Sequence, residues 1–206
     1  LAFQLIVDDT LNKRQLPIAF TGNHVADTEK VRTLTHTPDG SYTDVYLQWH
    51  DFGMQVQTVT FGADELLIKI TPDRDFGNPG FIQVDGKMLY GGTGKIEESG
   101  AKITATLPNR TIILKKLQSD DAKGEFRCGL QKPIYLVTDD ISSDQAETMI
   151  AKAEQAYLTE KDTYGKMSEV YDVIQNAVNW TVVYDPVKDR AVTPVARTWS
   201  YGWGKG

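Results

Sequence analysis

The stretch Gly91–Lys95 has the composition of a phosphate-binding loop, because glycines lead directly into a lysine. A loop of that kind also needs a glycine five residues before Gly94 and a hydroxyl after the lysine, to hold phosphate and Mg²⁺. Leu89 and Ile96 stand at those two positions. The sequence therefore predicts a glycine-rich β-turn here and no nucleotide site.

Ser99 and Lys102 have the spacing of the nucleophile and base in one class of serine acyl-transfer enzymes. The partner motifs SDN and KTG of that class are absent from the sequence. Because the two residues also stand at a turn leading into a strand, we interpret the match as chance.

The three histidines, His24, His36 and His50, form no pair at helical or strand spacing for a metal ion. His50 and Asp51 are adjacent and have the residue types of an acid–base pair. The alternative is a loop histidine without a catalytic role, and we favour that interpretation.

The segment with Asp73, Asp75 and Gly77 partly resembles a calcium loop, but the further ligands and the closing glutamate are missing. Cys128 is the only cysteine, which excludes an internal disulfide and a cysteine metal pair. We expect Cys128 to be a core or edge residue and not a nucleophile. The sequence predicts no metal site and no cofactor.

Adjacent acidic residues at probable strand ends are a further candidate for catalysis. Neighbours in a strand point to opposite faces, so such a pair does not converge on one substrate atom. We expect solvated turn carboxylates at Asp8-Asp9, Asp120-Asp121 and Asp139-Asp140.

The composition permits a folded domain, with 206 residues, 40% of them hydrophobic and 24% charged. A net charge of -6 without a basic stripe argues against a nucleic-acid-binding protein. No apolar run approaches the roughly 18 residues of a membrane span. The apolar start LAFQLIV reads as a strand and not as a signal peptide.

Residues 1–140 are predicted to be mainly β, an antiparallel β-sandwich of short alternating strands. Val45, Leu47 and Trp49 share one face of a strand, and a phase change in MQVQTVTF predicts a bulge near Gln57. Further strands are predicted at 66–70, 102–107, 111–117 and 133–137. The predicted turns are Pro38-Asp39-Gly40, Asp85-Gly86, Gly91-Gly92 and Pro108-Asn109.

After residue 141 the sequence pattern changes from that of strands and turns to that of helices. Ser142 and Gln145 have the spacing of a capping box, which predicts a helix running to about Glu160. Its apolar stripe is Ala146, Met149, Ile150, Ala153, Ala156 and Tyr157. A second stripe follows Gly165 in Met167, Val170, Tyr171, Ile174, Ala177 and Val178. The two helices are expected either to form a hairpin or to wrap across the sandwich.

Two runs near the end of the chain carry a family resemblance: YGKMSEVYDVIQNAVNWTVVYDP and DRAVTPVARTWSYGWG. Tyr164–Gly206 resembles the domain junction of glycoside hydrolase family 63 and its bacterial mannosylglycerate-hydrolase-like relatives. Ala196 stands where that family commonly has serine, and Lys205 interrupts its usual double glycine.

The resemblance implies a β-sandwich over 1–140, followed over 141–206 by a helical linker and the truncated beginning of an (α/α)6 catalytic domain. The family inverts the cleaved bond with two carboxyl groups, a general acid and a general base. Both are expected beyond Gly206, so this chain is expected to be the non-catalytic N-terminal part of an enzyme that cleaves α-glycosidic bonds in oligosaccharides.

The same resemblance places Arg197, Trp199 and Trp203 at the rim of the sugar pocket. An indole face suits the C–H face of a pyranose, and a guanidinium offers forked donors to vicinal hydroxyls. The alternative is that Trp180 and Trp199 fill the seam between the two domains and Arg197 pairs with a carboxylate.

A second class of function remains open, a free-standing carbohydrate-binding or protein-interaction sandwich. The aromatic tail would then be its own platform. As an isolated chain the protein is expected to self-associate through that apolar tail. A periplasmic or extracellular location is favoured over a cytoplasmic one.

Overall fold

The computed structural model describes residues 2–9, 14–17, 29–49, 52–62, 65–74, 80–88, 93–117, 126–181, 183–185 and 190–192. These residues form antiparallel sheets followed by two helices, so the predicted mainly β class is confirmed. The structure leaves untested the prediction that an α/α barrel begins after residue 141.

Two larger sheets make up the β-part of the described chain. The smaller sheet consists of β1 (Ala2–Asp9), β2 (Arg14–Pro17), β7 (Gly80–Lys87) and β11 (Arg127–Gly129), in the order β11-β7-β1-β2. The larger sheet consists of β3 (Glu29–His36), β4 (Tyr42–Trp49), β5 (Phe52–Thr60), β6 (Leu66–Pro72), β8 (Lys95–Glu98), β9 (Lys102–Leu107), β10 (Arg110–Lys116) and β12 (Ile134–Val137), in the order β3-β4-β5-β6-β12-β10-β9-β8. A short hairpin, β13 (Val183–Asp185) and β14 (Arg190–Val192), follows the helices.

One hydrophobic cluster gathers side chains from both larger sheets. Ile82 and Val84 of β7 are fully buried in it together with Ile70 and Leu136 of the larger sheet. Cys128 of β11 belongs to the same cluster, which confirms it as a core residue. Apolar faces of two sheets that share a core are expected for a sandwich.

The bulge predicted near Gln57 is wrong. β5 pairs without interruption with both β4 and β6. Met54 and Val56 point into the core between the sheets, whereas Val59 belongs to a second cluster on the opposite face. The apolar residues of β5 therefore change from even to odd positions because one face of the strand is buried in its first half and the opposite face in its second half. The register shift in the described sheets lies in β3, between Val31 and Thr33.

The turn predicted at Asp85-Gly86 is also wrong. Both residues lie inside β7, where they pair with Gln4 and Phe3 of β1. A Cβ atom at Gly86 would meet side-chain atoms of Ile103 and Ile96 at 3.0 and 3.1 Å. The glycine thus permits close packing between the two sheets and does not mark a chain reversal.

Other predicted turns are confirmed. The chain reverses between β3 and β4 at Pro38-Asp39-Gly40, where Gly40 has a φ of +73° and donates its N–H to Thr37 O at 3.0 Å. The Asp39 carboxylate accepts from Ser41 N at 3.0 Å, and this contact lowers the pKa of Asp39. Pro108-Asn109 joins β9 to β10. Gly91-Gly92 lies outside the described residues.

The first helix, α1 (Ser143–Asp162), begins with the predicted capping box. The Ser142 hydroxyl accepts from Gln145 N, and the Gln145 side chain accepts from Ser142 N. A 3₁₀ turn (Gly165–Met167) and the second helix, α2 (Ser168–Thr181), follow. Within the described residues no helix is long and apolar enough to cross a membrane.

α1 lies across the outer face of the larger sheet. Ala146 and Ile150 are buried in a cluster with apolar residues of that face, among them Tyr42, Leu67 and Val137. The larger sheet is therefore covered on its inner face by the smaller sheet and on part of its outer face by α1. This explains why all four residues of β12 are buried.

Glu147 of α1 is bound to the sheet by a charged contact. Its carboxylate lies 2.7 Å from Lys69 Nζ and accepts a hydrogen bond from the Tyr135 hydroxyl. Both contacts lower the pKa of Glu147, Lys69 having the larger effect. Burial, together with the same hydrogen bond, raises the pKa of Tyr135 to about 12.

Glu147→Gln is expected to flatten the acid dependence of stability. Because the pKa of Glu147 is lower in the folded than in the unfolded chain, its contribution is present above the unfolded pKa and lost as pH falls through the folded pKa. The carboxylate is half exposed, so we expect only about 0.5–1 kcal/mol at neutral pH. Urea unfolding between pH 7 and 3 measures it, with Glu154→Gln as a solvent-facing control on α1. Identical pH profiles for Glu147→Gln and the unmodified chain would contradict the assignment.

Candidate docking surface

The residues predicted from the sequence to form a sugar-pocket rim, Arg197, Trp199 and Trp203, lie outside the described residues. Trp180 lies in α2, but its side chain is not among those described. The pair His50 and Asp51 also lies outside the described part of the chain. The predicted rim therefore stays a prediction.

The short catalytic motifs in the described residues have structural roles. Ser99 and Lys102 close the turn between β8 and β9, with Ser99 N donating to Lys102 O at 2.9 Å. Asp140 forms an ion pair with Lys115 of β10, and the Asp139 carboxylate accepts from Asp140 N. No group of three His, Cys, Asp or Glu residues in the described chain could hold a metal ion.

A groove of about 650 Å³ lies between α1 and the β3–β4 turn. Its lining includes Phe61, Met149 and Tyr157, and Lys152 and Glu160 belong to the same lining. The groove is large enough for a small ligand. It contains no nucleophile–base pair, and its aspartate, Asp39, is already bonded to Ser41.

The buried polar groups beside this groove are paired with one another. Gln57 is 5% exposed and donates to the Tyr42 hydroxyl at 3.1 Å and to Asp44 at 3.3 Å. Gln55 donates to the same Asp44 oxygen at 2.8 Å. Burial raises the pKa of Tyr42 well above its usual range, so its phenol stays neutral. This network pairs the polar side chains under α1 with one another.

The most unusual surface in the described structure is on α2. Apolar residues recur here at three- and four-residue steps, but most of the predicted stripe faces away from the protein. Val173, which the prediction did not include, is exposed with it, whereas Tyr171 of the predicted stripe is partly buried. Val173 is 66% exposed, Ile174 56% and Val170 50%. We call the outward apolar residues of this helix and of the 3₁₀ turn before it the α2 stripe: Met167, Val170, Val173, Ile174, Ala177 and Val178.

The opposite, polar face of α2 contacts the rest of the protein. Asp172 accepts hydrogen bonds from the Tyr157 hydroxyl of α1 and from Asn176 Nδ2 at 3.2 Å. Lys161 Nζ lies 3.3 Å from the Asp172 carboxylate. The Asn176 side-chain oxygen accepts from the backbone N–H of His36 in β3 at 2.9 Å. We call this set, Tyr157, Lys161, Asp172 and Asn176, the α2 clasp.

The electrostatics of the α2 clasp follow from partial burial. Desolvation raises the pKa of Asp172, and the hydrogen bond from Asn176 opposes that shift. At the start of α2 the Tyr164 and Tyr171 rings stack with centroids 3.6 Å apart. Their hydroxyl contact, the largest cause, raises the pKa of Tyr171 to about 12. Neither site has the arrangement of a catalytic acid and base.

An amphipathic helix normally buries its apolar stripe, and most of its stability comes from that burial. α2 instead partly buries polar side chains and exposes the α2 stripe. Contiguous exposed apolar surface of this kind is typical of a contact with another protein surface. The periodicity of the stripe was visible in the sequence, whereas its outward direction depends on contacts from β3 and α1 that the sequence did not reveal.

Comparison with known proteins finds no family model, no curated protein and no solved structure that matches this chain.

Proposed function

We propose that this chain is the N-terminal, non-catalytic part of a glycoside hydrolase that acts on α-glycosidic bonds of oligosaccharides. Its role is to brace an (α/α)6 catalytic domain that begins near α2 and continues beyond Gly206. The observation that carries the proposal is the exposed α2 stripe, because a helix that presents its apolar face outward supports a contact with a further domain.

The described side chains support a bracing role over a catalytic one. The candidate motif Ser99/Lys102 forms a turn, and Cys128 lies in the core. The charged residues Glu147 and Asp172 bind α1 to the sheet and α2 to α1. These contacts make the helices a firm extension of the sheets.

The carbohydrate part of the proposal is supported by the resemblance of Tyr164–Gly206 to a family 63 domain junction. In that arrangement Arg197, Trp199 and Trp203 contribute to the rim of the sugar pocket. The two indoles contact a pyranose ring, and the guanidinium of Arg197 donates to its hydroxyls.

The first test is the mass of the natural protein and its activity beside that of the 206-residue chain, on aryl α-glycosides and α-linked disaccharides. We expect a longer natural protein that hydrolyses such substrates, while the 206-residue chain does not. A natural protein that ends at Gly206, or a longer protein that hydrolyses none of the panel, would overturn the proposal.

Alanine at Arg197, Trp199 and Trp203 tests the rim. In the active natural protein, each change is expected to raise KM or lower kcat/KM by about tenfold, since each removes about 1–2 kcal/mol of binding energy. Trp180→Ala serves as a control for a tryptophan assigned to the domain seam. Unchanged kinetics in all three rim variants would show that these residues do not contact the substrate.

The alternative, a free-standing carbohydrate-binding sandwich, is favoured by the groove lined by Phe61, Met149 and Tyr157. Aromatic side chains beside charged groups suit a sugar ring. This alternative predicts oligosaccharide binding by the 206-residue chain that Phe61→Ala weakens. Titration of the 206-residue chain and its Phe61→Ala variant with oligosaccharides therefore separates the two functions.

A further inference from the structure

Among the described residues, α2 is held on the domain by polar side chains and not by its apolar stripe. A helix of fourteen residues is marginally stable by itself, so α2 needs support from its surroundings. In an ordinary amphipathic helix that support comes from buried apolar side chains. Here Val170, Val173 and Ile174 are at least half exposed, so they contribute little of it.

The polar contacts join α2 to two different elements. Tyr157 and Lys161 belong to α1, and both contact Asp172 at the middle of α2. One turn later, Asn176 contacts the backbone of His36 at the end of β3. Contacts to two elements at two points fix both the position and the direction of a helix, which a single contact does not.

The side chains of the α2 clasp also support one another. Asn176 donates to Asp172 through Nδ2, while its oxygen accepts from His36 N, so one amide connects the contact with α1 to the contact with β3. Lys161 pairs with Glu169 as well, at 3.2 Å, but the Glu169 side chain is 82% exposed. Glu169 therefore adds little and offers a matched control on the same helix.

We propose that the α2 clasp is a positioning device, which holds α2 in one orientation so that the α2 stripe is preformed for the domain that covers it. This inference rests on the proposed function for the identity of that domain. Its physical basis is preorganisation: a helix that is already ordered loses less conformational entropy when its partner packs against it. Tyr157, Lys161, Asp172 and Asn176 then act on the interface through α2 and touch neither substrate nor reacting atoms.

Hydrogen exchange on the 206-residue chain tests the local part of the inference. Asp172→Ala and Asn176→Ala are expected to accelerate exchange of the α2 amides at least tenfold, while the amides of α1 and of β4–β6 keep their protection. Asp172→Asn retains an acceptor oxygen for Tyr157 and Asn176, so it is expected to restore most of the protection. Glu169→Ala is expected to exchange like the unmodified chain.

The positioning role of the α2 clasp would be overturned if the α2 amides of Asp172→Ala exchanged as slowly as those of the unmodified chain. It would also be overturned if protection were lost equally over the whole domain. The second measurement uses the natural protein. There Asp172→Ala is expected to lower kcat/KM at least fivefold, Asp172→Asn to restore it, and Glu169→Ala to leave it unchanged. Loss of α2 protection without an effect on kcat/KM would overturn the positioning role.

If the unmodified natural protein shows no glycosidase activity, the proposed function fails. The exchange experiment still decides whether the α2 clasp orients the helix, since it needs no substrate and no partner domain. The two failures are therefore distinguishable.

Discussion

Leu114→Ala is expected to lower the free energy of unfolding by about 2–5 kcal/mol, the range for a buried leucine cut back to alanine. Leu114 lies in β10, is fully buried and belongs to the cluster between the two sheets. Its neighbour across the strand pair is Ile103 of β9, which is also fully buried. The substitution removes three carbon atoms from a site where two sheets meet, so the surroundings have little freedom to collapse into the cavity.

The adjacent residue offers a control in the same strand. Ile113 points to the other face of β10 and is 36% exposed. Ile113→Ala removes a comparable apolar side chain, but about a third of it is already exposed to water, so we expect a smaller loss of about 1–1.5 kcal/mol. Urea unfolding of the two variants at pH 7 measures the difference. Equal losses of stability at both positions would contradict the assignment of Leu114 to the buried face of β10, and with it the core shared by the two sheets.

Ile113 and Leu114 show that the sequence pattern predicts the position of this strand but not which of its faces is buried. The run TIILKKL indicated a strand at 111–117, and β10 was found at Arg110–Lys116. The run contains two adjacent isoleucines before Leu114, so alternation alone did not say which face is buried. The register with Ile103 and the opposing β7 decide it, and both are set by residues distant in sequence.

Local chemistry that acts over a few residues was predictable. The capping box at Ser142 and Gln145 satisfies N–H groups at the start of α1 and appears as expected. The turn at Pro38-Asp39-Gly40 depends on a glycine with a positive φ and also appears as expected. Gly86 also looked like a turn glycine in the sequence. In the structure, glycine is needed at this position because the two sheets approach each other closely there.

Strands without clear alternation were missed for a related reason. β3 carries Arg32, Thr33 and Thr35 beside Val31 and Leu34, so its composition resembles a polar loop. It forms an edge of the larger sheet, where polar side chains face solvent at no cost. That edge then receives α2 through Asn176, which is why the candidate surface was not predictable from the helix alone.

The direction of α2 was the largest difference from expectation. The spacing of Val170, Ile174 and Val178 led to the expectation that α2 packs on α1 as a hairpin or wraps across the sandwich, since such stripes normally face the core. In this chain the apolar part of the sheet's outer face that contains Tyr42 and Leu67 is already covered by Ala146 and Ile150 of α1. The contacts that remain for α2, with the end of β3 and with α1, are polar. Asn176 and Asp172 form hydrogen bonds there, which a valine side chain cannot do.

Ile174→Lys is expected to leave the 206-residue chain folded and to disable the natural protein. Ile174 is 56% exposed at the centre of the α2 stripe, so a lysine there remains in water in the isolated chain. The melting temperature of that chain should change by less than about 2 °C, as for surface substitutions in general. Binding of an apolar dye should decrease, because the exposed stripe becomes interrupted by a charge.

If the proposed function is right, the natural protein buries the same lysine under its catalytic domain. A charge buried without a partner costs several kcal/mol, and each 1.4 kcal/mol corresponds to a factor of about ten. We therefore expect hydrolysis to fall at least tenfold, or the two domains to separate in sedimentation and limited proteolysis. Gln155→Lys adds the same charge to an exposed position of α1 and is expected to change neither property. If Ile174→Lys behaved like Gln155→Lys in the natural protein, the α2 stripe would be solvent-exposed there too, and the bracing role would have to be assigned to another surface.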